Sequence, residues 1–492
     1  MKSSGRKIRG EGILPFITEE IEGATRLTSY AGAPLIAEVF RASGAAEATR
    51  RCVRTGERYR KRGLAEDEIV ESFCLLLALG GECLDDFRHV GVDSGLAELI
   101  GHAMPSPTRA KQFLYAFHDE EDSGPGAAPR GLFGSYIPPE GACLEGLHEV
   151  LRATVLASVA AEPASEATMD LDATIVESHK REAAWTYKGR PGYQPTVALW
   201  AERDLVLADE FRDGNVPAGT GVLRVLKQAV ETLPPGMESI CVRSDSAGYT
   251  HDVLNWCRDE IAGRPPITFA ISADMSKELR AKIEALSASA WRSFPRGPGD
   301  RLDERRHWAE VEFIPDAPSH KKGRRPDRYL AIRILPRQGE LFADGSEVKY
   351  FAVVTNDLKR EGSDLIAWHR QKAGTIEHTH DVLKNELGAG TMPCGRFGAN
   401  AAWFRLNALT YNLLSLLRRT ALPKELSKAK PKRLRLRALC VAGEVLHHAR
   451  SVIVRVAGML IGEEGLLARA RLALRRLMLA VARMNAPPAA AG

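Results

Sequence analysis

The sequence lacks any apolar run of the roughly 18 to 20 residues that a membrane-spanning helix requires. Its start, Met1–Arg9, is basic and no hydrophobic stretch follows, so no secretion signal is predicted. The 8 cysteines include no C-x-x-C pair and no Cys/His cluster with the spacing of zinc ligands. These absences predict a cytoplasmic protein with reduced thiols and without a membrane partner.

The sequence also lacks the short motifs that identify several large enzyme classes. It has no phosphate-loop lysine motif, no G-x-S-x-G and no H-E-x-x-H. His378 and His380 lie close together, but histidines two residues apart on a helix point to different faces, so neither is predicted to be a metal ligand. These observations disfavour the nucleotidase and hydrolase classes.

Charge of neither sign is in large excess, since the net charge is +5, which permits nucleic-acid binding without requiring it. Basic residues are concentrated locally between Lys424 and Arg437, where Glu425 is the single acid, and in a second cluster at 321–325. Each cluster either follows a phosphate backbone or is a solvated loop. The residues of the first cluster predicted to contact DNA are Lys430, Lys432 and Arg433.

The length of 492 residues predicts several domains, and 44% hydrophobic residues are enough to bury a sizeable core. A segment rich in Gly, Pro and acidic residues predicts a linker. The predicted divisions are a tail (1–26), a helical DNA-binding region (27–118), the linker (119–141), a first core part (142–275), a β-rich insertion (276–348), a second core part (349–420) and a basic helical C-terminal region (421–492).

Hydrophobic patterns in the two core parts predict an α/β fold. TMDLDATIV, YQPTVALWA and DLVLADEFR are typical of strands, and a helix over 221–233 and the strand SICVRSD follow. This order, β, β, β, α, β, α, is that of an RNase H-like core. Strand-like pieces separated by Pro, Gly and charge predict the β-rich insertion, and the core resumes at VKYFAVVTN with a helix over 375–387.

Helical spacing of apolar residues predicts the helices that flank this core. One ends at Gly80, and another begins with Ser106 as N-cap and Pro107 as first helical residue. Further helices are predicted over 144–160, 400–419 and 463–484.

Three acids occupy positions where these elements would place metal-binding carboxylates. Asp172 lies in the apolar strand, with Asp170 on the same strand face, and Asp245 follows SICVRS, at the strand end where α/β sheets collect ligands. Glu377 lies one turn into a helix, and Lys384, seven residues later, shares its face. Such carboxylates can hold two Mg²⁺ ions about 4 Å apart for phosphodiester chemistry.

Each acid taken singly also has a purely structural interpretation. Asp172 suits a turn or a cap, Asp245 the N-cap of the following helix, and Glu377 a solvated surface. The combination of all three in this order of elements favours the catalytic interpretation.

Several blocks of the sequence resemble bacterial insertion-sequence transposases of the DDE domain group 1 type. The blocks are LTSYAGAPLIAEVF, GGECLDDF, LDATIV, FRDGN, VRSDSAGY, IEHTHDVLKNELGAG and FGANAAWFRLNALTYNLL, from about Leu27 to past Arg450. The resemblance implies an RNase H-like catalytic domain and dependence on Mg²⁺, for which Mn²⁺ can substitute. It also implies double-stranded DNA partners, namely the terminal inverted repeats of a mobile element and target DNA. A synaptic homodimer and association with the nucleoid are further implications.

The resemblance assigns roles to particular residues. Asp172, Asp245 and Glu377 are expected to be the catalytic metal ligands, and Lys384 a DNA contact near the cleaved phosphate. Arg243 is expected to be a further phosphate contact.

The chain also departs from related families, which place an arginine four residues before the glutamate, where this sequence has Ala373. Arg370 or Lys372 is expected to take that role. In relatives the β insertion can hold an aromatic that stacks on a flipped base, and Trp291 or Trp308 is the candidate here.

The predicted function is therefore that of a cut-and-paste DNA transposase with endonuclease and strand-transfer activity. Two alternatives remain open from sequence: a non-catalytic DNA-binding regulator derived from a transposase, and an RNase H-like nuclease without strand transfer. Retention of all three acids disfavours the regulator.

Overall fold

The computed structural model of the protein describes most of the chain. The described residues are 7–11, 17–21, 26–56, 63–118, 135, 137–180, 183–294, 305–315, 327–336, 341–342, 344–449, 451–457 and 465–486.

The N-terminal region is mostly helical, as its apolar spacing predicts. Its elements are β1 (Lys7–Glu11), β2 (Ile17–Ile21), β3 (Leu27–Thr28), α1 (Pro34–Ala42), α2 (Ala45–Cys52), α3 (Glu66–Leu79), α4 (Phe87–Gly91), α5 (Ser94–Ile100) and α6 (Pro107–Tyr115). Helix α3 ends at Gly80, whose φ of 99° is the left-handed conformation that glycine adopts without strain. Helix α6 begins with Ser106, whose side chain accepts a hydrogen bond from the Arg109 amide at 3.2 Å. Both predicted helix boundaries are confirmed.

The central region alternates strands and helices. Its elements are α7 (Ala142–Ala161), β4 (Glu166–Ala173), β5 (Val176–Glu177), β6 (Ala184–Trp185), β7 (Pro191–Tyr193), β8 (Thr196–Trp200), β9 (Leu205–Glu210), α8 (Val222–Thr232), β10 (Ser239–Ser244), α9 (His251–Arg258), β11 (Ile267–Ser272), α10 (Lys277–Glu284), β12 (Arg292–Ser293), β13 (Arg305–Val311), β14 (Arg328–Leu335), β15 (Lys349–Thr355), α11 (Gly362–Arg370), α12 (Ile376–Asn385) and α13 (Phe397–Thr420). The predicted order of strands and helices is therefore present.

Within the described residues, nine strands form one mixed sheet, in the order β12-β13-β14-β15-β11-β10-β4-β8-β9. Strands β4, β10 and β11 are parallel, and β8 and β9 extend them antiparallel on one side. The carboxyl ends of β4 and β10 therefore lie side by side at one edge, where the predicted aspartates are found.

The β-rich insertion continues this sheet. Strand β14 pairs with β13 and with β15, and β15 pairs with β11, all antiparallel. The hydroxyls of Tyr249 and Tyr329, 2.9 Å apart, join the residues after β10 to the inserted strand β14. The insertion is thus an extension of the central sheet.

Helix α13 is buried along nearly its whole length and covers the end strand β9. Its apolar stripe was predicted, but the structure adds buried polar contacts. Asn412 accepts from the Val206 amide at 2.7 Å and donates to the Val206 carbonyl at 2.9 Å, so it pairs backbone groups of β9. Arg405 binds Asp209 at 2.9 Å and Glu140 at 2.7 Å, so its buried charge is compensated.

The C-terminal region contains strands as well as helices. Its elements are α14 (Pro431–Leu434), β16 (Gly443–His448), β17 (Ser451–Val456) and α15 (Leu466–Met484), with a π-helical turn over 435–439. Strands β16 and β17 form a hairpin that pairs with β3. Helix α15 packs on α1 and α7. One hydrophobic core therefore runs from the N-terminal helices through the sheet to α15.

Among the described residues, no helix is long and apolar enough to cross a membrane.

Candidate active site

Asp172 and Asp245 lie next to each other at the carboxyl edge of the sheet. Strands β4 and β10 are parallel and in register, with Leu171 opposite Ser244. The residue that follows Leu171 and the residue that follows Ser244 are both aspartates, so the two carboxylates are neighbours, as the sequence predicts. The Asp172 side chain is 16% exposed, so it is partly accessible to solvent.

The two carboxylates have opposite pKa shifts. Burial raises the pKa of Asp245, and the negative charge of Asp172 raises it further. Burial also acts to raise the pKa of Asp172, but contacts with the His380 ring and the Lys372 ammonium outweigh it, so the pKa of Asp172 is lowered. Asp172 is thus held ionised, whereas ionising Asp245 costs free energy.

Two basic side chains account for the low pKa of Asp172. The Lys372 ammonium lies 3.9 Å from one carboxylate oxygen, and His380 Nε2 lies 3.6 Å from the other. His380 is buried, and neither ring nitrogen has a hydrogen-bond partner. Of the two histidines that the helix-face argument separates, His380 contacts Asp172, which the sequence did not predict. That neither histidine is a metal ligand stays a prediction.

The Asp245 side chain is also held by a backbone amide of the residues that follow it. Its carboxylate accepts a hydrogen bond from the Ala247 amide at 3.1 Å, in the short helical turn that follows β10. The capping role considered for Asp245 therefore coexists with its place beside Asp172.

Asp170, two residues before Asp172, forms a buried ion pair with Arg243. The two residues are opposite each other on β4 and β10, and the guanidinium binds the carboxylate at 2.6 and 2.9 Å. Arg243 is only 2% exposed. The expectation of a phosphate contact at Arg243 is therefore wrong, because a buried carboxylate occupies its donors. Sequence reasoning placed Asp170 on this face but did not identify its partner.

This ion pair fixes the chain that leads into α12. Arg243 donates to the Trp368 carbonyl at 2.8 Å, and its guanidinium lies 5.2 Å from the centre of the Trp368 ring. The Thr375 hydroxyl donates to the Asp170 carboxylate. The end of α11 and the start of α12 are thus attached to the two strands that carry Asp172 and Asp245.

Helix α12 presents Glu377 and Lys384 on one face. The Lys384 ammonium donates to the Thr174 hydroxyl at 2.8 Å, just beyond the end of β4. Burial lowers the pKa of Lys384, and the charge of Lys188 lowers it further. Seven residues span about two helical turns, so Glu377 lies on the same face as Lys384, with an exposed side chain. This is the face that meets the end of β4.

The donor set at this edge suits a divalent cation in part. Asp172 and Asp245 supply adjacent carboxylate oxygens, the ligands that Mg²⁺ prefers, and their mutual repulsion would be relieved by a cation between them. In the part of the chain that the structure describes, no group of three or more His, Cys, Asp or Glu side chains is arranged to hold a metal ion. Asp172 and Asp245 are therefore adjacent in the protein alone, and Glu377 is not assembled with them into such a group.

The basic segment predicted to contact DNA lies against α12. Lys430 forms an ion pair with Asp381 at 2.8 Å, and the Lys432 amide donates to Glu386 at 2.9 Å. The side chains of Lys432 and Arg433 are exposed. A basic surface thus borders the helix that carries Glu377 and Lys384.

Two further sets of basic residues were predicted to contact DNA, and the structure describes only one of them. Arg370 ends α11 with an exposed side chain. The second basic cluster, at 321–325, lies outside the described residues.

The two tryptophans predicted to stack on a base both make packing contacts within the protein. Trp308 is 2% exposed and packs against Gly362, so it is wrong as a stacking residue because no ring face is free. Trp291 is half-buried, with the Arg333 guanidinium 4.4 Å from its ring centre. Stacking by Trp291 stays a prediction.

Comparison with known proteins shows which family the chain belongs to. No curated protein sequence matches the chain. A piggyBac transposase, solved by cryo-EM in a synaptic complex with hairpin DNA, matches with a TM-score of 0.44 and 10% identity over 93% of this chain and 83% of that one. The sequence profile of transposase DDE domain group 1 matches residues 16–479. The chain therefore belongs to the transposase DDE domain group 1 family.

Proposed function

We propose that this DNA transposase cuts and joins DNA by a metal-dependent, cut-and-paste reaction centred on Asp172 and Asp245, with Glu377 as the third carboxylate. The observation that carries the proposal is the pair of partly buried aspartates at the ends of adjacent parallel strands. Ionising Asp245 beside Asp172 is unfavourable without a cation, and this cost supports a cation-binding role.

The residues of the site divide the work of the reaction. Asp172 and Asp245 would hold the cation, and Glu377 would join them from the exposed face of α12 when DNA is bound. A bound Mg²⁺ or Mn²⁺ supplies Lewis-acid activation of the attacking water or 3′-hydroxyl and stabilises the leaving oxygen. Lys372 and His380 keep Asp172 ionised and limit its movement.

Lys384 has a separate role in this proposal. Its ammonium is held at the end of β4 by Thr174, next to the carboxylates. The Lys384 ammonium, fixed there, is suited to contact a non-bridging oxygen of the phosphate to be cleaved. The exposed basic side chains beside α12 would continue the contact along the DNA backbone.

The proposed substrates are the terminal inverted repeats of a bacterial insertion sequence and a target duplex. A homodimer would hold two ends together in the synaptic complex.

The proposal is tested by incubating a labelled duplex of the element's own ends with the full chain in Mg²⁺, in Mn²⁺ and in EDTA. The test variants are Asp172→Asn, Asp245→Asn and Glu377→Gln. Asp364→Asn is the matched control, because Asp364 is an exposed carboxylate in the first turn of α11. We expect metal-dependent nicking at the element boundary, lost in the three test variants and kept in the control.

Other results have distinct meanings. Unimpaired cleavage by Asp245→Asn would contradict the assignment of the site. Tight binding without cleavage by the wild type would indicate a DNA-binding regulator. Cleavage without joining to a target plasmid would indicate a nuclease.

A further inference from the structure

One buried histidine at the end of β10 has no part in the reaction proposed above. His369, near the end of α11, is only 8% exposed. Its Nε2 lies 3.0 Å from the carbonyl oxygen of Ser244, the residue directly before Asp245. The same nitrogen lies 3.5 Å from the hydroxyl of Ser272, the last residue of β11. His369 therefore joins α11 to the ends of two adjacent parallel strands.

The partner of His369 determines which ring nitrogen carries a proton. A carbonyl oxygen can only accept, so Nε2 must carry the hydrogen that it donates to Ser244. The pKa of His369 is lowered to about 4, mainly by burial and in addition by the charges of Lys372 and Arg243. At neutral pH the ring is therefore uncharged, with its hydrogen on Nε2.

The Ser244 carbonyl depends on this donor. Ser244 ends β10 and is only 2% exposed, so water has little access to its backbone. A buried carbonyl without a donor is costly, and the backbone would rotate to find another partner. The same carbonyl belongs to the peptide group that leads into Asp245. The hydrogen bond from His369 therefore sets the direction in which the chain enters Asp245.

The turn after Asp245 also contacts Ser244. A Cβ atom at Gly248 would lie 2.7 Å from Ser244 Cβ, so only glycine allows the turn to approach this closely. The Gly248 amide donates to the Asp245 carbonyl at 3.2 Å. Ser244 is thus contacted by the turn through its side chain and by His369 through its carbonyl, which leaves the backbone around Asp245 little freedom.

The Asp245 carboxylate needs this backbone support more than Asp172 does. Lys372 and His380 both contact the Asp172 carboxylate directly. The Asp245 carboxylate accepts from the Ala247 amide at 3.1 Å, and burial and the charge of Asp172 both oppose its ionisation. The position of Asp245 is therefore set largely through its own main chain.

We propose that His369 is a positioning residue for Asp245, whose carboxylate it holds, through the Ser244 carbonyl, where that carboxylate can share a cation with Asp172. The inference rests on the proposed function, because it takes the two aspartates to hold the cation. His369 itself does not touch the cation in this role. Residues that orient metal ligands from outside typically change metal affinity about 10- to 100-fold when they are replaced.

Three substitutions at His369 separate hydrogen bonding from packing. His369→Gln keeps an N–H donor at about the reach of Nε2, His369→Asn carries the same amide one methylene shorter, and His369→Leu has no donor. His148→Leu is the matched control, because His148 is also a buried histidine, on α7, with its Nε2 2.9 Å from the Thr232 hydroxyl. Far-UV circular dichroism and urea unfolding show which variants fold.

The first measurement is Mn²⁺ binding by the full chain without DNA, followed by the electron paramagnetic resonance signal of free Mn²⁺. Asp172→Asn identifies the ion that binds at the aspartates. The second measurement is cleavage of the element-end duplex over a range of Mn²⁺ concentrations.

The leucine and asparagine variants should bind Mn²⁺ at the aspartates about tenfold more weakly, and cleavage should need about tenfold more Mn²⁺ for half saturation. Their cleavage rate at saturating Mn²⁺ should change little, because a bound ion restores the position of Asp245. The glutamine variant and the His148→Leu control should both stay close to the wild type.

Three results would overturn the inference. One is unchanged Mn²⁺ affinity in the leucine and asparagine variants, and another is a glutamine variant as impaired as asparagine. The third is an equal loss of Mn²⁺ affinity in the His148→Leu control. If the leucine variant does not fold, the comparison of glutamine with asparagine decides.

These results are separate from the test of the proposed function. Metal-dependent cleavage that is lost in Asp245→Asn, together with unchanged Mn²⁺ affinity in the His369 variants, would contradict this inference alone. A wild type without metal-dependent cleavage would contradict the proposed function, and this inference with it.

Discussion

Replacing Arg243 with methionine should cost more stability than any substitution on the surface of this transposase. Arg243 and Asp170 are almost completely buried, and their side chains are joined by two hydrogen bonds of 2.6 and 2.9 Å. Removing the guanidinium leaves the Asp170 carboxylate with the Thr375 hydroxyl but without a countercharge. An uncompensated buried charge of this kind costs about 3–5 kcal/mol.

The double variant Asp170→Asn/Arg243→Met separates charge from packing. Asparagine keeps an oxygen that can accept from Thr375, but it carries no charge. The double variant should therefore be more stable than Arg243→Met alone by about 1–3 kcal/mol, the usual coupling between residues in contact. Urea unfolding followed by tryptophan fluorescence measures both differences.

In the double variant, we expect the free energy of unfolding to recover without a recovery of DNA cleavage. The double variant still lacks the hydrogen bond from Arg243 to the Trp368 carbonyl, which attaches the end of α11, and with it α12, to β10. We expect DNA cleavage to stay low while the free energy of unfolding recovers. A double variant no more stable than Arg243→Met would refute the charge argument, and full recovery of cleavage would refute the positioning role.

Other substitutions test the remaining parts of the site. Because the pKa of Asp245 is raised on folding, its contribution to stability is present below the ordinary pKa of aspartate and is lost as the pH rises through the raised value. Asp245→Asn should therefore unfold at a higher urea concentration than the wild type in EDTA at pH 7. This difference should disappear near pH 3, where the wild-type carboxyl is protonated. Lys384→Met should lower the cleavage rate more than the affinity for DNA, as gel-shift and cleavage assays on one duplex would reveal. Lys432→Gln/Arg433→Gln should weaken binding of any duplex and reduce the salt dependence of affinity by about two phosphate contacts, measured by titration at several salt concentrations.

The place of the two aspartates could be predicted because it depends on local patterns. Each strand is marked by its own apolar residues, and an acid at or directly after the end of such a strand lies at the sheet edge wherever the strand is placed. The order of strands and helices then makes β4 and β10 parallel neighbours. The helix ends at Gly80 and Ser106 were predictable for the same reason, because caps are set by adjacent residues.

The partners of particular side chains could not be predicted in this way. Arg243 and Asp170 are 73 residues apart, and their contact depends on the register between two strands. Helical periodicity shows which residues share a face of α12, but not which face meets the sheet, so the contact of His380 with Asp172 was not predicted. Trp308 was misjudged because an apolar strand pattern does not tell which of its faces is covered.

In the proposed reaction, the charges around the site favour assembly of its parts in a fixed order. Lys372 and His380 contact Asp172 directly, so this carboxylate is ionised and positioned in the protein alone. The charge of Asp245 is less well compensated, because burial and Asp172 both oppose it. A cation between the two carboxylates would therefore gain most from Asp245 and would fix the pair before DNA binds. Glu377 is exposed on a helix that Asp170 and Arg243 attach to the same strands, and we propose that it joins the two aspartates when DNA binds.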